Sequence, residues 1–519
     1  MGQTVLSRTL DREIRLFMRP LVCLFCAALV GAGLMAKVAA AEPDRPTAAE
    51  IGLEWGPETT VISEPRTADG YPDYVEFLNR RMSAGVPKEE NFWAAMWGAV
   101  GNIERLPEPL LERVERGLLS DIDSEPRMEA LWTLVGVTGE AEAALSKAVG
   151  QAQSGPWRRG DHPELQLWLD VNDEVLARAS EAARRPRGWM PVLGISDPRV
   201  TTRTVAHVAA ARSVARLLKI RAMRCLGDGD HEGAWSDLMT AHRIAGHLER
   251  EDFLFDRLCG MEMRASLRKP LGHWLSRTSL AAEELERRRL EWASVIPVWS
   301  ASATLETMRF EFLEKVLALK SGACSIEMFT GSRDHAATNQ LVVDAVDLNE
   351  VLREGNRILD ALDAVLKLDH QATRLVGLRE IVKPLEEVQQ RIGGEGNLMP
   401  VFLQSLLEGQ DRFLAQFLVR FDARSIEILE IQSVADAAKR ALMKAAFLAR
   451  IQMADSGAAA MTVNASYPLD PFSGAALRSQ RTEKQFVLYS VGPDRQDDGA
   501  KEHEEGPGND DIRIVLDLP

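Results

Sequence analysis

The residues with the strongest claim to chemistry lie between Gly492 and Asp511, where Asp494, Asp497, Asp498, Glu502, Glu504, Glu505, Asp510 and Asp511 are interleaved with glycines. Carboxylates are hard oxygen donors, and calcium takes about six to eight oxygens in flexible geometry. A glycine-rich acidic loop supplies carboxylates and backbone carbonyls together. Calcium is therefore the expected ion, with Asp494, Asp497, Asp498, Asp510 and Asp511 as its expected ligands. The loop lacks EF-hand spacing, so a solvated acidic loop without a metal is the alternative.

The histidines make a weaker case. His231, His242 and His247 sit near Glu249 and Asp252, but residues five apart are about 140° apart around a helix, whereas paired helical ligands sit four apart. The acid pairs Glu283-Glu284 and Glu386-Glu387 fall in charge-rich helical stretches and read as solvated faces. Trp93 and Trp97, four apart, read as core packing. There is no HExxH, phosphate-cradling Gly-Lys-Ser/Thr loop, dinucleotide fingerprint or Gly-x-Ser-x-Gly elbow. No residue is assigned a catalytic role.

The elements that must position the acidic loop are strands. Residues 475–480 and 485–491 read as two strands joined by the polar Arg481–Lys484, and Ile512–Leu516 as a third. Before them lies a long α-helical body, residues 73–455. Two short helices carry Tyr74, Phe77, Leu78 and Met82, then Phe92, Trp93, Met96, Trp97 and Val100. Further helical periodicity covers about 126–150, 163–184, 199–227, 231–250, 253–276, 280–295 and 300–320. A long helix is predicted over 339–392, kinked or split near Pro384. Helices over 398–432, with a break near Gly409, and over 434–455 complete the body. The Gly227-Asp228-Gly229-Asp230 turn joins a helical hairpin like those of tetratricopeptide-type repeats, without a fixed repeat period. The fold class expected is mainly α, a multi-helix body with helical hairpins plus a small C-terminal antiparallel β module at 456–519.

The N-terminus reads as an export signal. A basic start near Met18, an apolar run from Leu21 to Met35 and Ala39-Ala40-Ala41 before Glu42 give the three-part layout that a signal peptidase cleaves. The run is shorter than the roughly 20 residues of a stable membrane-spanning helix, which favours cleavage after Ala41. An uncleaved anchor formed by residues 21–41 is the alternative, and Met18 is an alternative start. Residues 42–72 form an extended lead-in. Removing residues 1–41, with five Lys/Arg and two Asp/Glu, takes the net charge from -15 to -18. That balance, with no basic cluster interleaved with aromatics, argues against nucleic acid as a partner. Cys225, Cys259 and Cys324 are odd in number and far apart, and read as small buried residues rather than a disulfide framework.

Two segments resemble an uncharacterised family of exported planctomycete proteins. One is Thr59–Gly101, with Ile62-Ser63-Glu64-Pro65, Asp69-Gly70-Tyr71, Leu78-Asn79 and Asn91; the other is Pro468–Gly474 through Phe486–Asp494 and Asp497-Asp498-Gly499. The C-terminal block also resembles the tail of major pseudopilins of type II secretion, whose acidic loop holds calcium. That resemblance implies Asp494 as the acid after the strand and Asp511 as the closing one. No prepilin methylation segment precedes the apolar run, so a pilin subunit is not expected.

The function expected is an exported, noncatalytic helical interaction or scaffolding protein of the cell envelope, periplasmic or otherwise extracytoplasmic. Its partner is an envelope protein, with membrane contact only through the N-terminal segment if uncleaved. The competing reading is an exported hydrolase whose site is assembled from distant residues.

Overall fold

The computed structural model describes residues 45–518 except 105, 119–126, 137, 195–199, 201–202, 298, 394–395, 408, 458–461, 464–465 and 503–509. The expected export signal, the first lead-in residues 42–44, and Glu504 and Glu505 therefore lie outside the described residues.

The two short helices form as α1 (Tyr74–Ser83) and α2 (Phe92–Val100). Asp73 accepts a hydrogen bond from Glu76 N at 2.8 Å and Asn91 from Trp93 N at 3.1 Å. Each satisfies an amide that the first helical turn leaves open. An unanticipated helix, α3 (Glu108–Leu118), buries Leu110, Leu111, Val114 and Leu118 along one face. Residues 126–150 give two helices rather than one, α4 (Leu131–Val135) and α5 (Glu140–Ser154), because Gly136 turns into the left-handed region at φ 65°. Residues 163–184 likewise divide into α6 (Pro163–Val171) and α7 (Asp173–Ala182). Between them Asn172 is fully buried; it accepts from Glu129 N and donates to Trp168 O, both at 2.9 Å, so its side chain takes over hydrogen bonding at the break.

The helical hairpin is α8 (Ala206–Asp228) and α9 (His231–Arg250), packed along their lengths. Asp230 caps α9 by accepting from Gly233 N at 2.8 Å. Gly227 is needed for a different reason: a Cβ there would lie 1.9 Å from Trp157 O, where the chain crosses the end of α8. Then follow α10 (Leu254–Ser266), α11 (Arg268–Arg277), α12 (Ala282–Ser294), α13 (Ala301–Lys320) and the one-turn α14 (Glu327–Thr330).

The long helix expected over 339–392 is three helices, α15 (Ala336–Ala345), α16 (Leu348–Leu366) and α17 (Gln371–Ile392). Val346 is extended, and Asp347 restarts the helix by accepting from Asn349 N and Glu350 N. Helix α17 continues through Pro384 to Ile392 rather than dividing there. After α18 (Met399–Gln404) and the break at Gly409, α19 runs from Gln410 to Ser456 without the interruption expected near 433. Its 47 residues span about 70 Å at 1.5 Å per residue.

Helix α19 is the spine. Phe413 to Leu429 pack into one core with α13, α16 and α17, whereas Ala441 to Ala449 pack into a second core with α8–α12. The buried side of the helix changes as it passes from one core to the other. A change of buried face looks like a helix end when only periodicity is available. The lead-in is held against the first core: Ala48, Leu53 and Ile62 are buried, Asn349 Oδ1 accepts from Glu54 N at 2.9 Å, and Asn356 Nδ2 donates to Glu58 O at 2.9 Å. Cys225 and Cys259 are buried on α8 and α10, and Cys324 is half-buried in the connection after α13.

The sheet is β1 (Arg478–Arg481), β2 (Gln485–Ser490) and β3 (Ile512–Asp517), antiparallel in that spatial order. Phe486 pairs with Leu516 and Leu488 with Ile514. These four side chains share one face, by the alternation of a strand, and enter the second core against α11 and α19. Asp517 N donates to Ser276 Oγ of α11 at 2.9 Å. No helix among the described residues is long and apolar enough to cross a membrane.

Candidate metal centre

The acidic segment leaves the sheet at the end of β2, and that end is fixed by Asp470. Asp470 is 1% exposed. Its carboxylate accepts from Phe472 N (3.0 Å), Ser473 Oγ (3.1 Å), Ser490 Oγ (2.8 Å) and Val491 N (3.2 Å). One side chain thus ties the Asp-Pro turn to the strand exit. The chain then bends at Gly492, where φ is 67° and a Cβ would lie 2.2 Å from Asp510 O. Only glycine lets the start and end of the acidic segment approach so closely.

Past this bend the two ends meet. Asp494 N donates to Asp510 Oδ2 at 2.9 Å, and Asp510 N donates to Asp498 Oδ2 at 3.1 Å. One oxygen from each of Asp494, Asp498 and Asp510 lies within 4.8 Å of the others, close enough to share an ion. Among the described residues this is the group of His, Cys, Asp or Glu that could do so. Gln496 stiffens one wall by donating its backbone amide to Asp494 Oδ1 at 2.7 Å.

The electrostatics are those of crowded acids. Burial pushes Asp510 up to about 7, opposed by the amide it accepts from Asp494, and the charges of Asp494 and Asp498 push it further. Burial likewise pushes Asp511 up to about 6 against its bond from Ala500 N, with Asp498 adding to the rise. Asp510 Oδ1 and Asp511 Oδ1 are both buried without a hydrogen-bond partner among the described residues. A buried carboxylate oxygen without a partner is costly, and a divalent cation is a partner that suits it.

Of the five expected ligands, the structure therefore brings together Asp494, Asp498 and Asp510. Asp511, 2% exposed, stands beside them and gives its other oxygen to Ala500 N at 2.8 Å. Asp497 turns away: it pairs with Arg478 of β1 and accepts from Gly499 N at 3.0 Å. The three clustered carboxylates offer at most six oxygens, and calcium's remaining demand falls to backbone carbonyls or water.

Sequence reasoning missed the role of Asp470, although an Asp-Pro turn followed by Ser-Gly is a recognisable signal. It also missed a second polar cluster inside the helical body. There Asp256 pairs with Arg203 and with His207 Nε2, while Trp93 Nε1 donates to Glu251 Oε1 at 2.5 Å. Burial works to raise Asp256, but Arg203 and His207 override it and hold the group down at about 2. Glu251 is pushed the other way, to about 8, by burial and by the charge of Asp256. Two carboxylates with opposite proton preferences flank the connection between helices, Glu251 just past the end of α9 and Asp256 in the first turn of α10. Asp256, His207 and Glu251 are 0%, 2% and 5% exposed, so they are closed to solvent. Residues so scattered carry no common periodicity, and nothing in the sequence joins them.

Of the histidines considered earlier, His242 and His247 are core residues, whereas His231 is half-buried at the start of α9. His247 stacks on Phe92 with ring centres 4.0 Å apart and is driven down to about 3 by burial and Arg250. Burial, with Arg264 and Arg243, also lowers His242 well below its usual value. No family model, curated protein or solved structure matches this chain.

Proposed function

We propose that this chain is an exported, noncatalytic helical interaction or scaffolding protein of the cell envelope whose C-terminal module is closed by calcium. The observation that carries the calcium part is the convergence of Asp494, Asp498 and Asp510 within 4.8 Å, beside buried carboxylate oxygens that have no partner. The export signal read at residues 1–41 supports the setting, since calcium is abundant outside the cytosol. The pseudopilin-like order of strand, acidic segment and closing Asp-Ile supports it as well.

An ion there neutralises the carboxylates and pins the segment between β2 and β3, which in turn fixes the sheet on α11 and α19. The role of the module is then structural, and the partner is an envelope protein gripped by the helical body or the sheet edge. A hydrolase needs a cleft in which convergent polar groups meet solvent. The carboxylate–histidine grouping described above, Asp256 with His207 and Glu251, is sealed, and that supports the noncatalytic reading.

Crosslinking and pull-down from native envelope fractions test the role. Reproducible enrichment of an envelope protein, lost when the chain is unfolded, is the expected result. Enrichment of nothing above control, alongside turnover of an ester, peptide or glycoside panel by the purified chain, overturns it.

A further inference from the structure

A third polar cluster lies between α8 and α10, far from the acidic segment in sequence. Helix α8 carries Arg212, Arg216 and Lys219, four and three residues apart and so along one stripe. Facing them on α10 are Cys259, Glu262 and Ser266, and the two walls enclose a half-open cavity of about 180 Å³. Three cations therefore meet a single carboxylate.

The charge arrangement departs from the rest of the molecule. The chain has 77 acids against 62 bases, and its arginines are commonly matched: Arg221 bridges Asp173 and Asp237, and Arg264 pairs with Glu249. Arg212 and Arg216, by contrast, form no ion pair or hydrogen bond with another side chain among the described residues. Glu262 lies across the cavity without coming within ion-pair distance of them. Lys219 is half-buried and donates to Ser266 Oγ at 3.2 Å. Burial and the neighbouring Arg216 lower it to about 8, with Glu262 opposing. Like charges held together without a counter-charge cost free energy that a bound anion recovers.

We propose that this cavity is a binding site for a phosphate-class dianion, either free phosphate or a terminal phosphomonoester. The count of charges matches it: three cations less one carboxylate leave two positive charges. The donors match too, since guanidinium forks pair with two phosphate oxygens at once, and the Lys219 ammonium, held by Ser266 Oγ, supplies further N–H groups. The size is sufficient. At about 180 Å³ the cavity has room for a phosphate, and its open side leaves an attached group in solvent. This site is independent of the calcium reading.

The test is titration of the purified full-length chain with inorganic phosphate at neutral pH, low salt and with chelator present, followed by calorimetry and by phosphorus NMR line width. Saturable binding is expected, weakening by at least about tenfold in Arg216→Ala and in Lys219→Ala. Arg212 and Arg216 are exposed, so circular dichroism and thermal unfolding of Arg212→Ala and Arg216→Ala stay as in the native chain. Glu262→Gln binds more tightly, because it removes the one repelling charge. Affinity falls as pH rises through about 8 and Lys219 loses its proton. Glycerol phosphate titrated in parallel separates the sources: equal affinity identifies a phosphomonoester, and much weaker binding identifies the free ion. An absence of saturation by about 10 mM phosphate, or unchanged affinity in Arg216→Ala, overturns the proposal.

Discussion

Calcium should stabilise this chain through Asp494, Asp498 and Asp510, and Asp510→Asn should reveal the mechanism by acting in opposite directions with and without the ion. The three ligand oxygens lie within 4.8 Å of one another. Two unit charges at that separation repel by about 3.5 kcal/mol at an effective dielectric of 20 and by about 1 kcal/mol in water. Asp510 takes part in two of the three pairs, and hydrogen bonds from backbone amides offset part of the cost. Without calcium at neutral pH, Asp510→Asn therefore raises stability by about 1–2 kcal/mol, with the amide oxygen still accepting from Asp494 N. Calcium at one hundred times its Kd adds about 2.7 kcal/mol to the native chain. If the C-terminal core unfolds as a unit of 150–250 residues, that is a rise of roughly 5–10 °C in Tm. The assay is calorimetric unfolding of native, Asp510→Asn and Asp494→Ala chains, each in chelator and in calcium. The native Tm should rise with calcium, and neither variant should respond. Equal Tm values for the native chain in chelator and calcium, or a full response from Asp510→Asn, would refute the reasoning.

Three further outcomes follow from particular contacts. Glu251 is held at about 8, above its unfolded value near 4.5, so its contribution to stability is complete below about pH 4.5 and is lost as pH rises through about 8. Urea denaturation between about pH 6 and pH 9.5 should therefore show a fall in native stability that is smaller in Glu251→Gln, which still accepts from the Trp93 indole; identical slopes would exclude Glu251 as the source. Asp470→Ala removes an acceptor of four hydrogen bonds at a buried position and should cost on the order of 3 kcal/mol. It should also weaken the calcium response by freeing the exit of β2, and a calcium titration of that variant checks this. Gly227→Ala forces a Cβ to within 1.9 Å of Trp157 O, a backbone atom that cannot swing aside; a loss of at least about 1–3 kcal/mol in denaturant midpoint is expected, and no change would contradict the crossing described here.

Much of this molecule is legible from its residues in order. Periodic apolar positions mark α1, α2, α8, α9, α12 and α13, and the caps at Asp73, Asn91 and Asp230 are visible as residue types. Alternation and turn residues mark the three strands, because a hairpin with polar Arg481–Lys484 is a local event. Where the sequence misleads, the deciding contact is distant. Asn172 divides two helices because Glu129 reaches it, and α19 stays whole because two separate cores bury different sides of it.

The same division holds for the candidate sites. By itself the sequence determined which segment could bind a hard cation, since the abundance of Asp and Gly between two strands is a compositional fact. Only the tertiary structure decided which acids meet: Asp494, Asp498 and Asp510 converge, while Asp497 is drawn to Arg478. It alone aligned Arg212, Arg216 and Lys219 opposite Glu262, and it alone joined Asp256 to Arg203 and His207. The physical reason is range. Propensity, capping and turn chemistry act over a few residues, whereas charge meets charge at positions that only the packing of helices brings within a few ångströms.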